Sequence, residues 1–365
     1  MQRLRATPFS WYVLIHYGSA FIFAHYFSGI LGYDYFKYPD IIDNIGCSFK
    51  SHNGGFSLML CALDITSINN YVASTSAVLL RILRDYLVYA VLREKIGSHS
   101  KTWLILMVLH PYEFTYAAKL TTDLFGCLAV AVVYYFLTKH RSFSKMPPSA
   151  FIVLLLSLSL LFTLRNSILP LVVVTLLTLV MNSSRQHIPI LAFLSTVAVL
   201  FFIWTLSNQT HSYISNVTTS NSDYLLNYGY FAALFVGIQE PIASLGAAVS
   251  YTLSHWTLLT GFREMAYTKT LLYFTNNPSP ARLLEQLTSV LLVIIHTYGL
   301  IKFFQSAMCK DRKMLILLFA IFPAFFIVAH LRYFLPMIPF ALVGVALSVR
   351  EFFEKRENKC HRTRC

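Results

Sequence analysis

Apolar residues are grouped along the chain into long runs that short polar breaks separate. A membrane-spanning helix needs roughly 17–25 mostly apolar residues, and most of the runs have a length in or near that range. The pattern predicts an all-α polytopic membrane protein with about ten transmembrane helices, with twelve as the alternative. The ten runs are 11–31, 70–92, 102–118, 120–138, 150–164, 167–181, 188–206, 285–304, 313–330 and 333–349.

Composition supports the same prediction. Charged residues make up 12% of the 365 residues, hydrophobic residues make up 56%, and the mean hydropathy is +0.59. A soluble domain of this length could not solvate its surface with so few charges. A soluble enzyme, a secreted disulfide scaffold and a disordered chain are therefore excluded. The first run is longer than the apolar part of a signal peptide and lacks a small-residue cleavage site, so it is interpreted as an uncleaved span.

Lys and Arg indicate which breaks face the cytoplasm. Short loops rich in these residues stay on the cytoplasmic side of a membrane. When residue 1 is placed inside and the spans are counted, every basic break falls inside, and both termini are cytoplasmic. The basic breaks lie at 93–101, 139–145, 185 and 310–313, and the chain ends in a basic tail at 350–365.

The same count defines two long outer elements in what we treat as a single transmembrane domain, 1–365. One is the first outer loop, 32–69, and the other is the second outer segment, 207–284. The second must cross the membrane an even number of times. Its apolar middle carries Glu240, Pro241 and several glycines, which favours short interfacial helices over two spans.

Acidic residues of the first outer loop are candidates for proton transfer. Asp34 follows the first span almost at once, so it is expected at the membrane boundary. Low-dielectric surroundings increase the affinity of a carboxylate for a proton, which suits a general base. A solvated loop acid is the alternative. Asp40 and Asp43 are three residues apart and are more typical of the start of a short amphipathic helix.

Charged residues also interrupt the spans. Arg81, Arg84 and Asp85 lie within the second run, and the four-residue spacing of Arg81 and Asp85 predicts an ion pair on one helix face. Lys119 and Asp123 have the same spacing at the outer start of the fourth run.

Two arginines are expected at the outer face, where the fifth and tenth spans meet it. These are Arg165 and Arg332. An arginine at the interface can hold an anionic head group through paired hydrogen bonds that lysine cannot reproduce, and snorkelling to lipid phosphate is the alternative.

Cysteine gives limited information. No C-x-x-C or zinc-type spacing occurs among the six cysteines, and Cys47 with Cys61 is the one pair for which oxidation is conceivable. The acidic residues do not form a cluster that requires a metal. No cofactor is expected, although a divalent metal is not excluded.

The order of several short motifs resembles the GT-C glycosyltransferases that use polyprenyl-phosphate sugars, the class of the aminoarabinose and protein mannosyltransferases. Departures from that pattern are Tyr35 where the family has a second acid, Asn166 where it has Pro, and the lack of a large outer domain. The matching stretches are Asp34 to Tyr38, His110 to Tyr116 with Leu120 and Asp123 to Phe125, Leu164 with Arg165, and Arg332 and Tyr333 with Pro336 and Pro339.

The resemblance implies an inverting transfer of a sugar from a polyprenyl-phosphate donor to a lipid-linked or surface glycan acceptor. It implies Asp34 as catalytic base. The residues expected to bind the lipid phosphate are Arg332, Arg165, Tyr333 and Lys119, and the secondary candidates are Asp40, Asp43, Tyr38, Asp123 and His110. The expected location is the bacterial inner membrane, with the lipid bilayer as partner and no role for nucleic acid.

Two other functions fit the same features. A polymerase of O-antigen repeats would share the many spans, the basic balance and the outer loops. A transporter or flippase would need polar residues near the middle of the membrane, and Arg81 and Asp85 are the candidates for them.

Overall fold

The computed structural model describes residues 7–26, 47, 54–63, 71–140, 146–165, 168–181, 280–306, 312–321 and 334–363. These ranges contain helices and no strand, so the all-α prediction is confirmed for them. The α-helices are α1 (Pro8–Tyr12), α2 (Gly18–Tyr26), α3 (Gly54–Ala62), α4 (Tyr71–Ile96), α5 (Ser100–Leu109), α6 (Pro111–Tyr116), α7 (Thr122–Lys139), α8 (Pro148–Leu164), α9 (Leu169–Met181), α10 (Pro280–Gln305) and α11 (Ile338–Thr363). A π-helical segment, Val13–Tyr17, joins α1 to α2, and 3₁₀ helices lie at Gly97–His99, Arg312–Ala320 and Leu335–Met337.

The helices follow most of the apolar runs, with one interruption. The run 102–118 is divided between α5 and α6 at His110 and Pro111. Proline has no backbone N–H and occupies the first turn of a helix without loss, so Pro111 ends one helix and begins the next. The run 188–206, the second outer segment 207–284 and most of the first outer loop lie outside the described residues.

Helix α7 lies at the centre of the packing. It contacts α4 and α8 along its length, and Leu124, Ala129, Val130 and Tyr134 are fully buried within it. Trp103 of α5 donates from Nε1 to the carbonyl of Pro339 at 2.9 Å, which links α5 to the start of α11. These contacts join α7 to α4 and α8, and α5 to α11.

Helices α10 and α11 run in the same direction. The ring of His296 contacts that of Phe334, Gly299 lies against Ala341, and the backbone of Phe303 lies against Gly344. Because the contacts advance along both helices together, the two helices are parallel. The charge-based count of spans requires the same direction for these two helices.

Five helical segments are apolar enough to be compared with membrane spans. Thr122–Lys139 and Leu335–Glu354 meet the length and hydropathy of a span, and Pro148–Leu164, Leu169–Leu179 and Leu291–Gln305 are apolar but shorter. By length and composition, the described residues therefore contain two candidate spans.

Several helices expose an apolar face, and some charged side chains are buried in the interior. Leu79, Leu83 and Tyr86 of α4 are about half exposed, and their spacing places them on one face. Arg81, Arg84 and Asp85 of the same helix are at most 1% exposed. Similar exposed apolar faces occur on α8 and α10, at Ile152, Leu156 and Leu160 and at Leu291, Ile294, Tyr298 and Ile301. An exposed apolar surface of this extent suits contact with lipid.

Candidate functional site

Four charged residues meet in the interior, and we call Arg81, Arg84, Asp85 and Glu113 the central charge cluster. The guanidinium of Arg84 joins the two acids. Its Nε donates to Oδ1 of Asp85 at 2.7 Å, while Nη1 and Nη2 donate to the two oxygens of Glu113 at 3.2 and 2.6 Å. Such a two-pronged contact is among the strongest that arginine makes. Arg84 is thus the residue that neutralises both buried carboxylates.

Asp85 also accepts hydrogen bonds from two tyrosine hydroxyls, one at the end of α1 and one at the end of the π-helical segment that follows it. Tyr12 donates to Oδ2 of Asp85 at 2.5 Å, and Tyr17 donates to the same oxygen. The two tyrosines are five residues apart, and the π-helical segment between them pairs residues at that spacing. The local π-helix therefore turns both tyrosines toward one carboxylate.

The predicted ion pair between Arg81 and Asp85 is wrong. Arg81 instead places Nη1 3.4 Å from Oε2 of Glu113. The four-residue spacing allowed the pair, but the adjacent Arg84 and the two tyrosines satisfy Asp85. Glu113, absent from the predicted site, could have been found as an acid within an apolar run, since such residues are rare in spans.

The helix break positions Glu113 through His110. Nδ1 of His110 accepts the backbone N–H of Glu113 at 3.3 Å and so caps α6. The neutral ring must then carry its proton on Nε2, which lies 2.8 Å from Nε2 of His296. We assign His110 as donor to His296 from this hydrogen-bond pattern. His110, a secondary candidate in the sequence, is here a link between α6 and α10.

A second polar group lies where α7 begins, and we call Lys119, Thr122, Asp123 and Arg165 the α7 N-terminal cluster. Nη1 of Arg165 donates to Oγ1 of Thr122 at 2.5 Å. Nη2 of Arg165 lies 2.7 Å from Oδ1 of Asp123, an ion pair whose angles are outside those of a hydrogen bond. Two of the predicted site residues, Asp123 and Arg165, are therefore in direct contact.

Lys119 does not pair with Asp123 as the spacing suggested. Its side chain is buried, and Nζ lies 4.9 Å from the ring centroid of Tyr116. A lysine over an aromatic face makes a favourable cation–π contact. Asp123 is occupied by Arg165, which approaches from the end of α8.

Helix α3, from the first outer loop, packs beside the α7 N-terminal cluster. A Cβ atom added to Gly55 would lie 2.7 Å from the carbonyl oxygen of Thr163, two residues before Arg165. The rings of Phe56 and Phe125 are 6.0 Å apart, and Phe125 lies two residues after Asp123. The first outer loop is thus attached to both helices that supply the cluster.

A disulfide joins Cys61 of α3 to Cys47. The sequence left this pair open, and the structure forms it. Cys127, also described, is buried and unpaired. Disulfides persist in oxidising compartments, and the outer side that the charge pattern predicts for this loop is such a compartment.

We expect Cys47 and Cys61 to resist maleimide until the denatured protein is reduced. Polyethylene-glycol maleimide should then add two more labels to the wild type than to a Cys47→Ser, Cys61→Ser variant, counted as shifts on a gel. Closing a loop of this length stabilises the folded state by about 3 kcal/mol, so the variant should unfold more easily. Equal labelling of the wild type before and after reduction would contradict the disulfide.

The other predicted site residues lie outside the described part of the chain. They are Asp34, Tyr38, Asp40, Asp43, Arg332 and Tyr333. Pro336, four residues after Arg332, is described and lies 3.8 Å from the position of a Cβ atom at Gly126. Pro336 is therefore packed about one helical turn from Asp123.

Within the described ranges, no three or more His, Cys, Asp or Glu side chains are grouped so that they could hold a metal ion. No protein-family model matches the chain, and no curated protein and no solved structure matches it either.

Proposed function

We propose that the protein is a polytopic membrane glycosyltransferase. It moves a sugar from a polyprenyl-phosphate donor to a lipid-linked or surface glycan acceptor at the outer face of a bacterial inner membrane. The observation that carries this proposal is the α7 N-terminal cluster, in which Arg165 is held by Thr122 and Asp123 beside a helix of the first outer loop. That loop also contains Asp34, the proposed base.

Placement in a membrane is supported by the apolar exterior and the charged interior. Exposed leucine and isoleucine side chains cover α4, α8 and α10, whereas the central charge cluster is at most 1% exposed. The parallel direction of α10 and α11 fits the proposed ten spans, because the ninth span would return the chain between them. A soluble protein with these surfaces would aggregate.

Arg165 is suited to bind the donor phosphate. Its ion pair with Asp123 and its hydrogen bond to Thr122 fix the guanidinium at the end of α8, and its side chain keeps 11% exposure. A cation positioned in advance stabilises charge that develops during a reaction, and this contribution is often the largest in catalysis. Arg332 would add a second cation from the segment that leads to Pro336.

The reaction that we propose is one displacement. The acceptor hydroxyl oxygen attacks the anomeric carbon while Asp34 removes the hydroxyl proton. The bond between the anomeric carbon and the phosphate oxygen breaks, and its electron pair leaves with the polyprenyl phosphate, next to Arg165. Attack from the face opposite the leaving group inverts the sugar configuration.

Substitution of Asp34 by Asn should reduce transfer by about 10²–10⁴-fold, because the proton acceptor is lost. Arg165→Lys should reduce it less, by roughly tenfold, since lysine keeps the charge and loses the paired donors. Transfer of radiolabelled sugar from a polyprenyl-phosphate donor to an envelope lipid extract measures both changes. Glu94→Gln, in an exposed ion pair with Lys139, is the control and should retain full activity.

The proposal is wrong if the wild type in membranes shows no sugar transfer with any polyprenyl-phosphate donor. Full activity of inserted Asp34→Asn protein would remove that residue from the mechanism. Insertion and amount are checked by labelling and by blotting of the same membranes, so that loss of activity is distinguished from loss of protein.

A transporter without covalent chemistry is the second candidate, and the central charge cluster favours it. Two arginines and two acids in the interior of a helical membrane protein are costly and commonly belong to a path for a polar substrate. Uptake of label into vesicles without formation of a new glycoside would support this candidate. The transfer assay therefore separates the two functions.

A further inference from the structure

Two buried side chains, Arg81 of the central charge cluster and His16, have polar atoms that no described residue satisfies. Both ring nitrogens of His16 lack a hydrogen-bond partner among the described residues, as do Nε and Nη2 of Arg81. Each side chain is 1% exposed. A buried polar atom without a partner lowers stability, so such positions require an explanation.

Packing alone does not require histidine at position 16. The His16 ring stacks on Tyr12 at 5.3 Å and meets Tyr17 and Phe114 edge to face at 4.9 and 6.1 Å. A phenylalanine ring could make the same contacts without burying two polar nitrogens. Burial of the two imidazole nitrogens therefore lowers stability, and the ring contacts do not explain why histidine occupies this position.

Arg81 presents a specific pair of donors. Its Nη1 is directed to Glu113 at 3.4 Å, which leaves Nε and Nη2, the two N–H groups on one edge of the guanidinium. That edge matches two oxygens of a carboxylate or a phosphate. His16 and Arg81 both adjoin the segment of α6 that holds Glu113, since His16 packs on the neighbouring Phe114.

We propose that Arg81 and His16 form a binding site for a singly charged oxyanion, a carboxylate or a phosphate. Arg81 donates from Nε and Nη2 to two of its oxygens, and His16 supplies one further hydrogen bond. The charges of the two arginines and two acids already cancel, so one bound oxyanion leaves a net negative charge, and the site should therefore bind a singly charged anion in preference to a doubly charged one. This site is separate from Arg165 and does not depend on sugar transfer.

Two substitutions test the site while keeping its packing and charge. His16→Phe keeps the ring contacts and removes both nitrogens, and Arg81→Lys keeps the charge toward Glu113 and removes the Nε and Nη2 edge. The purified full-length proteins in detergent are titrated with sodium acetate, with inorganic phosphate and with a polyprenyl phosphate. Thermal unfolding followed by tryptophan fluorescence reports binding, because a ligand of the folded state raises the unfolding temperature.

We expect saturable stabilisation of the wild type by at least one probe, and an apparent Kd at least tenfold higher for each variant. Without ligand, His16→Phe should unfold at the same or a higher temperature than the wild type. The conservative Arg350→Lys variant, at an exposed ion pair with Glu354, should bind as the wild type does.

Three results would overturn the proposal. They are no saturable effect of any probe on the wild type, undiminished binding by both variants, and a lower unfolding temperature of ligand-free His16→Phe together with unchanged binding. Stabilisation by acetate or inorganic phosphate identifies a small soluble anion as the ligand. Stabilisation by polyprenyl phosphate alone identifies a lipid head group, and either result supports the site.

Discussion

Substitution of Arg84 by Met is expected to destabilise the protein by about 3–5 kcal/mol, the usual result of removing one partner from a buried ion pair. Arg84 is the shared partner of Asp85 and Glu113, and all three side chains are buried. Without it, Asp85 keeps two tyrosine hydroxyls, and Glu113 keeps Arg81 at 3.4 Å. Two carboxylates would then share one distant cation in the interior. Equilibrium unfolding in mixed micelles measures the change in free energy.

Two further variants make the Arg84 result specific. Arg350→Met removes an exposed ion pair with Glu354 and should cost only about 0.3–0.5 kcal/mol. Adding Asp85→Asn to Arg84→Met removes the carboxylate that is left without a cation and keeps the pair of Arg81 with Glu113, so it should restore a large part of the lost stability. Equal unfolding free energies for Arg84→Met and Arg350→Met would show that the central charge cluster does not support the fold.

The positions of the helices could be predicted from the apolar pattern because hydrophobic periodicity is a local property. The second, fourth, fifth and sixth runs match α4, α7, α8 and α9 to within a few residues at most ends. The break between helices at His110 was harder to predict from the sequence, although Pro111 indicated it. A hydropathy average over the run does not show such a break, whereas proline interrupts the backbone hydrogen bonds of the helix there.

Ion-pair partners could not be predicted in the same way. A spacing of four residues identifies pairs on one helix, and it suggested Arg81 with Asp85 and Lys119 with Asp123. In the structure the partners come from different helices, Glu113 for Arg81 and Arg165 for Asp123. Which helices are in contact depends on tertiary packing. The spacing of residues within one helix does not predict that packing.

The tyrosines that bind Asp85 illustrate a second limit. A regular α-helix would turn Tyr12 and Tyr17 away from each other, so their common function depends on the π-helical segment between them. π-helical turns have no simple sequence signature. The chemistry of the first helix was therefore not visible in the sequence, although its apolar character was.

Replacement of Gly344 by Leu is expected to separate α10 from α11 and to cost about 3 kcal/mol or more, at the upper end of overpacking effects. A Cβ atom at Gly344 would lie 1.8 Å from the carbonyl oxygen of Gly299, and one at Gly299 would lie 2.1 Å from the carbonyl oxygen of Ala341. The atoms in the way belong to the backbone, so no side chain can move aside. Small residues at helix contacts are a main source of stability in membranes, where apolar burial contributes little.

The variant Gly344→Ala is a milder test of the same contact, and Gly18→Ala is its matched control. Gly18 has helical backbone angles and no atom within 4 Å of an added Cβ, so alanine should stabilise its helix by about 0.5–1 kcal/mol. Gly344→Ala should destabilise, because even one methyl group meets Gly299. Unfolding in mixed micelles compares the two variants. Equal stability of both would show that the backbones of α10 and α11 are not in contact.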